Sequence, residues 1–204
     1  MPKIALSHIL RKDILAIQPK NHSVELREPE NDNRPETLQS VIINGIPDDA
    51  LILHADRMSP SLYRKKEKDN CTCHKLPLYR KKCDYIIISE FENKNYIIYI
   101  EMKTSPRDLT FIPQLWSGRC FMEYLLFSMF HLESIKPSSE FLHRFVRFYK
   151  IPEDKDSTNL QEDEYKKPKK MDILNDRPAN AYSCCVTEGI FIQLKDLVYE
   201  YNHS

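Results

Sequence analysis

The sequence predicts a single α/β domain over residues 1–204, a mixed sheet flanked by helices. Three observations carry that expectation. Two runs, Tyr85 to Ser89 and Tyr96 to Met102, are β-branched or aromatic and apolar on both faces, with the turn "FENKN" between them. A strand of that kind belongs in a sheet covered on both sides. From Asp108 to His131 the spacing becomes helical, with Leu115, Met122, Leu125, Leu126 and Met129 in phase. Phe141 to Ile151 then alternates Phe145, Arg147 and Tyr149 against Val146 and Phe148, which reads as a further strand.

The remaining elements follow in chain order. Ile4, Leu6, Ile9, Leu10, Ile14 and Leu15 suit a short amphipathic helix ending before Pro19. "NHSVELREPENDNRPE" is polar and fits a loop or a short strand, and "ETLQSVIING" fits a helical turn or a strand closed by Asn44-Gly45. Asp48 to Asp56 reads as a strand. Residues 58–82 are charged and aperiodic and read as a peripheral insertion. Pro113 suits the first turn of the long helix. Residues 152–181 form a second charged, Pro-bearing excursion. "GIFIQLKDLVYEY" returns as a last strand. The core is expected over about 48–151, in the order helix, three strands, helix, strand.

Composition narrows the function. Lys plus Arg and Asp plus Glu are equal at 30 each, so no basic excess announces a nucleic-acid partner, although a local patch is compatible with neutral totals. With three Gly and neither G-x-G-x-x-G nor G-x-x-x-x-G-K, Rossmann or P-loop nucleotide binding is not expected. The N-terminus lacks the h-region of a signal peptide and no run has the length of a membrane span. A cytoplasmic protein is the expectation, with its six Cys as thiols or metal ligands.

The polar residues in the hairpin stand out. Glu101 and Lys103 are two apart on one strand and leave the same face. A turn centred at Asn93 and Lys94 puts Asp84 opposite Met102 or Lys103, so the three groups meet at one end of the sheet. Buried charges are costly unless paired or used. An ion pair at an exposed strand end is the plain explanation. The alternative is a divalent metal held by Asp84, Glu101 and the Met102 carbonyl, since Mg²⁺ takes hard oxygen ligands and keeps waters. Such a metal lowers the pKa of bound water and neutralises charge on a phosphoryl group. A lysine beside it positions or activates that water.

Asp84, followed after sixteen residues by Glu101-Met102-Lys103, resembles the D…E-x-K motif of the PD-(D/E)xK nuclease superfamily. That superfamily includes restriction endonucleases, RecB-type nuclease domains and bacterial defence effectors. The resemblance implies a restriction-endonuclease-like αβββαβ core and a Mg²⁺- or Mn²⁺-dependent nuclease acting on DNA or RNA. A role in defence against phage or foreign nucleic acid follows from it, beside a partner protein of a defence system. Catalytic roles then fall to Asp84, Glu101, Lys103 and Gln114. RecB-like members carry a Gln and a Tyr on the helix after the E-x-K strand. Gln114 and Tyr124 match by position, at a spacing of ten rather than the short Q-x-x-x-Y. Cys83 replaces the Pro of the motif. Asp13, Glu25 and Glu36 are candidates for a further acid on the first helix.

Other residues give weaker signals. Cys71, Cys73, His74 and Cys83 offer four N/S ligands for a structural Zn²⁺, though C-x-C-H is not a usual knuckle; a reduced loop is the simpler reading. Arg64-Lys65-Lys66 and Arg80-Lys81-Lys82 flank the first carboxylate, so Lys81 and Lys82 are candidate substrate contacts, as the resemblance implies for Tyr124. Lys166 to Lys170 reads as a solvated loop. His54 and Arg57 lie near the end of the first strand of the core and are candidates to line the same cleft. Trp116, Cys120 and Phe121 are expected to pack, and Cys184-Cys185 to be core thiols. Two other functions stay open: a catalytically silent nuclease-like binding module, and a small zinc-stabilised interaction protein. A homo-oligomer is compatible with each.

Overall fold

The computed structural model describes residues 15, 17–27, 38, 40–55, 82–103, 109–132, 140–150, 177–186 and 191–198. Its strands are β1 (Ser23–Arg27), β2 (Ser40–Asn44), β3 (Leu51–His54), β4 (Tyr85–Phe91), β5 (Lys94–Lys103), β6 (Phe141–Tyr149), β7 (Tyr182–Cys185) and β8 (Phe191–Gln193). Helix α1 spans Phe111–Leu132, and the short α2 spans Leu194–Val198.

The main sheet has five strands in the order β3-β4-β5-β6-β7. β3, β4 and β5 form an antiparallel meander, whereas β6 runs parallel to β5 and β7 parallel to β6. A parallel neighbour needs a crossover, and α1 supplies it between β5 and β6. β5 is the central strand with β4 and β6 on either side, which is why all three are buried over most of their length. The mixed α/β class expected from the pattern is therefore present.

What covers the sheet differs from the expectation of helices on both sides. One face packs on α1: Leu53, Ile86, Ile88, Ile97, Tyr99 and Phe145 meet Phe111, Leu115, Met122 and Met129. The other face packs on a second, three-stranded sheet in the order β1-β2-β8, together with α2. Val24, Leu26, Val41, Ile43 and Ile192 line that small sheet and meet Tyr85, Ile87, Ile98, Ile100 and Phe148. The alternation of Val24 and Leu26 with polar neighbours suits a sheet with one wet face.

Several boundaries are corrected. The final run is a strand only over Phe191–Gln193, joins the small sheet beside β2, and turns helical at Leu194 so that Leu197 and Val198 can also reach the core. The last strand of the main sheet is instead β7, so that sheet extends past residue 151; Cys184 and Cys185 are buried there as expected. The tail of the second excursion is not peripheral, because Pro178 and Ala181 are buried and Ala181 packs with the α1 side. Leu15 makes a β-bridge to Leu53 rather than continuing a helix, which gives the edge strand β3 a backbone neighbour. The rest of that predicted helix, most of the 58–82 insertion and residues 152–176 lie outside the described residues. The hairpin turns at Glu92 and Asn93, one residue earlier than expected, and both have positive φ (49° and 61°), as a two-residue type I′ loop requires.

Candidate functional site

The earlier turn resets the register. Tyr85 faces Ile100, so Asp84 is level with Glu101, not with Met102 or Lys103. Asp84 still reaches past its partner: its backbone N–H donates to the Ile100 carbonyl at 3.0 Å, and its Oδ2 accepts from the Met102 N–H at 2.6 Å. A charge-assisted bond of that length pins the carboxylate to the edge of β5. Within a strand a residue's N–H and C=O leave on the same side, so the Met102 carbonyl faces the Asp84 edge as well.

Glu101 and Lys103 share the face of β5 that packs on α1, with Ile97 and Tyr99 before them. Glu101 is only 1% exposed, and its Oε1 lies 2.6 Å from the Lys103 ammonium. The Lys103 side chain keeps 15% of its surface open. Its Nζ also donates to Gln114 Oε1 at 2.7 Å. Gln114 belongs to the first turn of α1 and is itself buried; Thr110 Oγ1 donates to the same oxygen at 3.4 Å, and Gln114 Nε2 donates to the Lys82 carbonyl at 3.4 Å. The crossover helix thus starts directly over the end of β5. A cation held between a carboxylate and an amide oxygen is the arrangement that permits Glu101 to stay charged while buried.

Arg147 is the residue that sequence reading missed. On the parallel strand β6 it is level with Glu101, and Tyr149 is level with Lys103. Its guanidinium carbon sits 4.4 Å from the centroid of the Phe111 ring and 5.2 Å from that of Tyr149, on the α1 side. Such contacts suit a delocalised cation that is weakly hydrated. The signal was an arginine inside "FLHRFVRFY", in phase with Phe145 rather than with solvent. Arg144, equally buried, points to the other face and packs over Tyr96.

The other nominated residues disperse. Lys82 lies under α1, with its ammonium 5.0 Å from the centroid of Phe121. Tyr124 is 57% exposed on the outer face of α1, turned away from Lys103. Cys83 is fully buried beneath Gly118, whose hypothetical Cβ would stand 2.5 Å from its sulfur. Glu25 lies on β1 and is bound by Arg27 at 2.8 Å, which holds its carboxyl below the usual range. His54 packs 4.7 Å from Tyr85. Asp13, Glu36, Arg57, Cys71, Cys73, His74 and Lys81 lie outside the described residues.

A second polar pair occupies the same face. Tyr99 Oη and His143 Nδ1 are 2.9 Å apart. Burial, with Arg119 adding to it, pushes His143 down to about 4, and burial first, then Cys83, raises the Tyr99 phenol well above its usual value. Both are neutral at pH 7, so the phenol donates and the imidazole accepts.

Among the described residues no three His, Cys, Asp or Glu side chains cluster as a metal site, and no helix is long and apolar enough to cross a membrane. The oxygen donors at the end of β5 are two carboxylates and one backbone carbonyl; for Mg²⁺ or Mn²⁺ that set suffices only with water completing the shell. No protein-family model matches the chain, and neither a curated protein nor a solved structure gives a match.

Proposed function

We propose that the chain is a Mg²⁺- or Mn²⁺-dependent nuclease that hydrolyses phosphodiester bonds in DNA or RNA and serves in defence against foreign nucleic acid. The observation that carries this reading is the convergence of Asp84, Glu101, Lys103 and Gln114 at one end of β5. The succession β3, β4, β5, α1, β6 supports it too, since a D…E-x-K site on that order of elements is what the resemblance implies.

Asp84 and Glu101, with the Met102 carbonyl, would hold the ion. When bound, it would supply a water of lowered pKa and charge to offset that on the phosphate. Lys103 orients or activates the attacking water and stabilises charge on the phosphoryl oxygens. Gln114 fixes where Lys103 points. Arg147, level with Glu101, adds positive potential that favours a phosphodiester over a neutral substrate.

A second reading has its own observation. Glu101 is already matched by Lys103 at 2.6 Å, as in a silent, structural ion pair, and the fold would then serve as a binding module. The experiment is incubation of the protein with mixed DNA and RNA in Mg²⁺, Mn²⁺ or EDTA, beside Asp84→Ala and Glu101→Ala. The nuclease reading expects metal-dependent cleavage that each substitution abolishes without unfolding the protein. Cleavage that persists in EDTA, or at an unchanged rate in Glu101→Ala, removes the metal site. Binding without cleavage favours the silent module.

A further inference from the structure

The outer side of α1 does not look like the surface of a monomer. Leu115, Gly118, Met122 and Met129 face the sheet. The side diametrically opposite carries Trp116, Cys120, Tyr124, Phe127 and His131, at successive intervals of four, four, three and four residues. Trp116 is 39% exposed, Tyr124 57% and Phe127 62%. Cys120, expected from the sequence to pack, opens outward, whereas Trp116 is half-exposed at the edge of the stripe and still packs, its ring 6.4 Å from that of buried Phe145. Phe127 and His131 extend the stripe with a ring contact at 4.1 Å. A helix that covers one side of a sheet normally turns charged residues to water, and one that is apolar all round is normally buried. Aromatic residues at such positions are the type that dominates protein interfaces.

We propose that this stripe is the interface of a two-fold homodimer in which α1 packs antiparallel on its copy. Three features choose a second copy over other occupants. The steps of four, three and four from Cys120 to His131 are those of a helix–helix seam, whose natural complement is another helix. The charges flanking the stripe are self-complementary: Arg119 and Glu123 lie one turn apart on one flank, bonded at 2.7 Å within the protomer. A two-fold axis near residue 121 brings the Arg119 of each protomer beside the Glu123 of the other. A nucleic-acid strand is disfavoured, because phosphates demand cations and Arg119, the one Lys or Arg in α1, is already engaged by Glu123 at 2.7 Å and by the Trp116 ring at 5.5 Å. The proposal is independent of the nuclease reading.

Sedimentation velocity across the micromolar range tests it on the full chain, with Tyr124→Glu, Phe127→Glu and Cys120→Ser beside the wild type. The wild type is expected to be a concentration-dependent dimer. Each Glu substitution should weaken it by roughly tenfold or more. Mild oxidation should join two chains through Cys120, and Cys120→Ser should abolish that species. Both aromatic side chains are exposed in the protomer, so the circular dichroism of the variants should match the wild type, and their melting should lose only the concentration-dependent share that the dimer adds. A wild type that stays monomeric overturns the proposal, as does a dimer indifferent to both Glu substitutions. Binding of a single-stranded oligonucleotide to a monomer, lost in the same variants, overturns it in favour of nucleic acid.

Discussion

Two polar clusters lie beneath α1, two residues apart on β5, and they are electrically opposite. Tyr99 and His143 are neutral partners closed in by burial. Glu101 and Lys103 are paired at the end of the strand, one sealed and the other with 15% of its side chain in reach of solvent. Same face, same strands and same covering helix produce two solutions. In the middle of the sheet the protein keeps the charge off; at the end it keeps the charge and surrounds it with Gln114 and Arg147. Desolvation makes the second solution the more expensive one, which is the physical reason to assign chemistry to it.

That contrast can be broken most severely at Lys103. Lys103→Ala should reduce metal-dependent cleavage by about 10²–10⁴-fold, the usual contribution of a charge-stabilising or general acid–base group, with little change in substrate affinity. Single-turnover kinetics against a binding isotherm separate the two, and a variant that cleaves normally makes the charged cluster structural.

Tyr99→Phe should do the reverse. It leaves the half-buried imidazole of His143 without its phenol donor, at a cost of about 1 kcal/mol in a denaturant titration, and leaves the cleavage rate unchanged. A loss of activity larger than the loss of stability would join the two clusters into one site.

A third effect appears only in acid. His143 binds its proton at about 4 in the folded protein against an ordinary 6.5, so between those values the unfolded chain holds more protons. Stability should decline as pH falls from 6.5 toward 4. His143→Gln should flatten that part of the profile, seen as melting temperature against pH.

The sequence carried the hairpin, α1 and β6 because long apolar runs with a single period leave one structure consistent with them. The small sheet was less legible: β1 and β2 are five residues each, separated by a polar stretch, and β8 is three residues beside a helix. These are stabilised by cover from the main sheet rather than by their own pattern. Asp84, Glu101, Lys103 and Gln114 could be nominated from spacing, yet the register was off by one because the turn puts a glutamate, not a glycine or asparagine, at a left-handed position. Arg147 escaped because alternation in a strand says which residues share a side, not which side is covered. Cys120 escaped for the matching reason on a helix: apolar character is evidence of burial only when the number of covered faces is known.

Gly118 gives the molecule a clock. With no side chain there, α1 rests on the sulfur of Cys83, and no reagent can reach that thiol while the helix is seated. The rate at which Cys83 is alkylated by a small thiol reagent, followed by peptide mass, is therefore the rate or the equilibrium of α1 lifting from the sheet. Because lifting α1 would part Gln114 from Lys103, that one thiol should report how often the charged end of β5 comes apart, and its labelling should slow when a divalent ion or a nucleic acid holds the helix down.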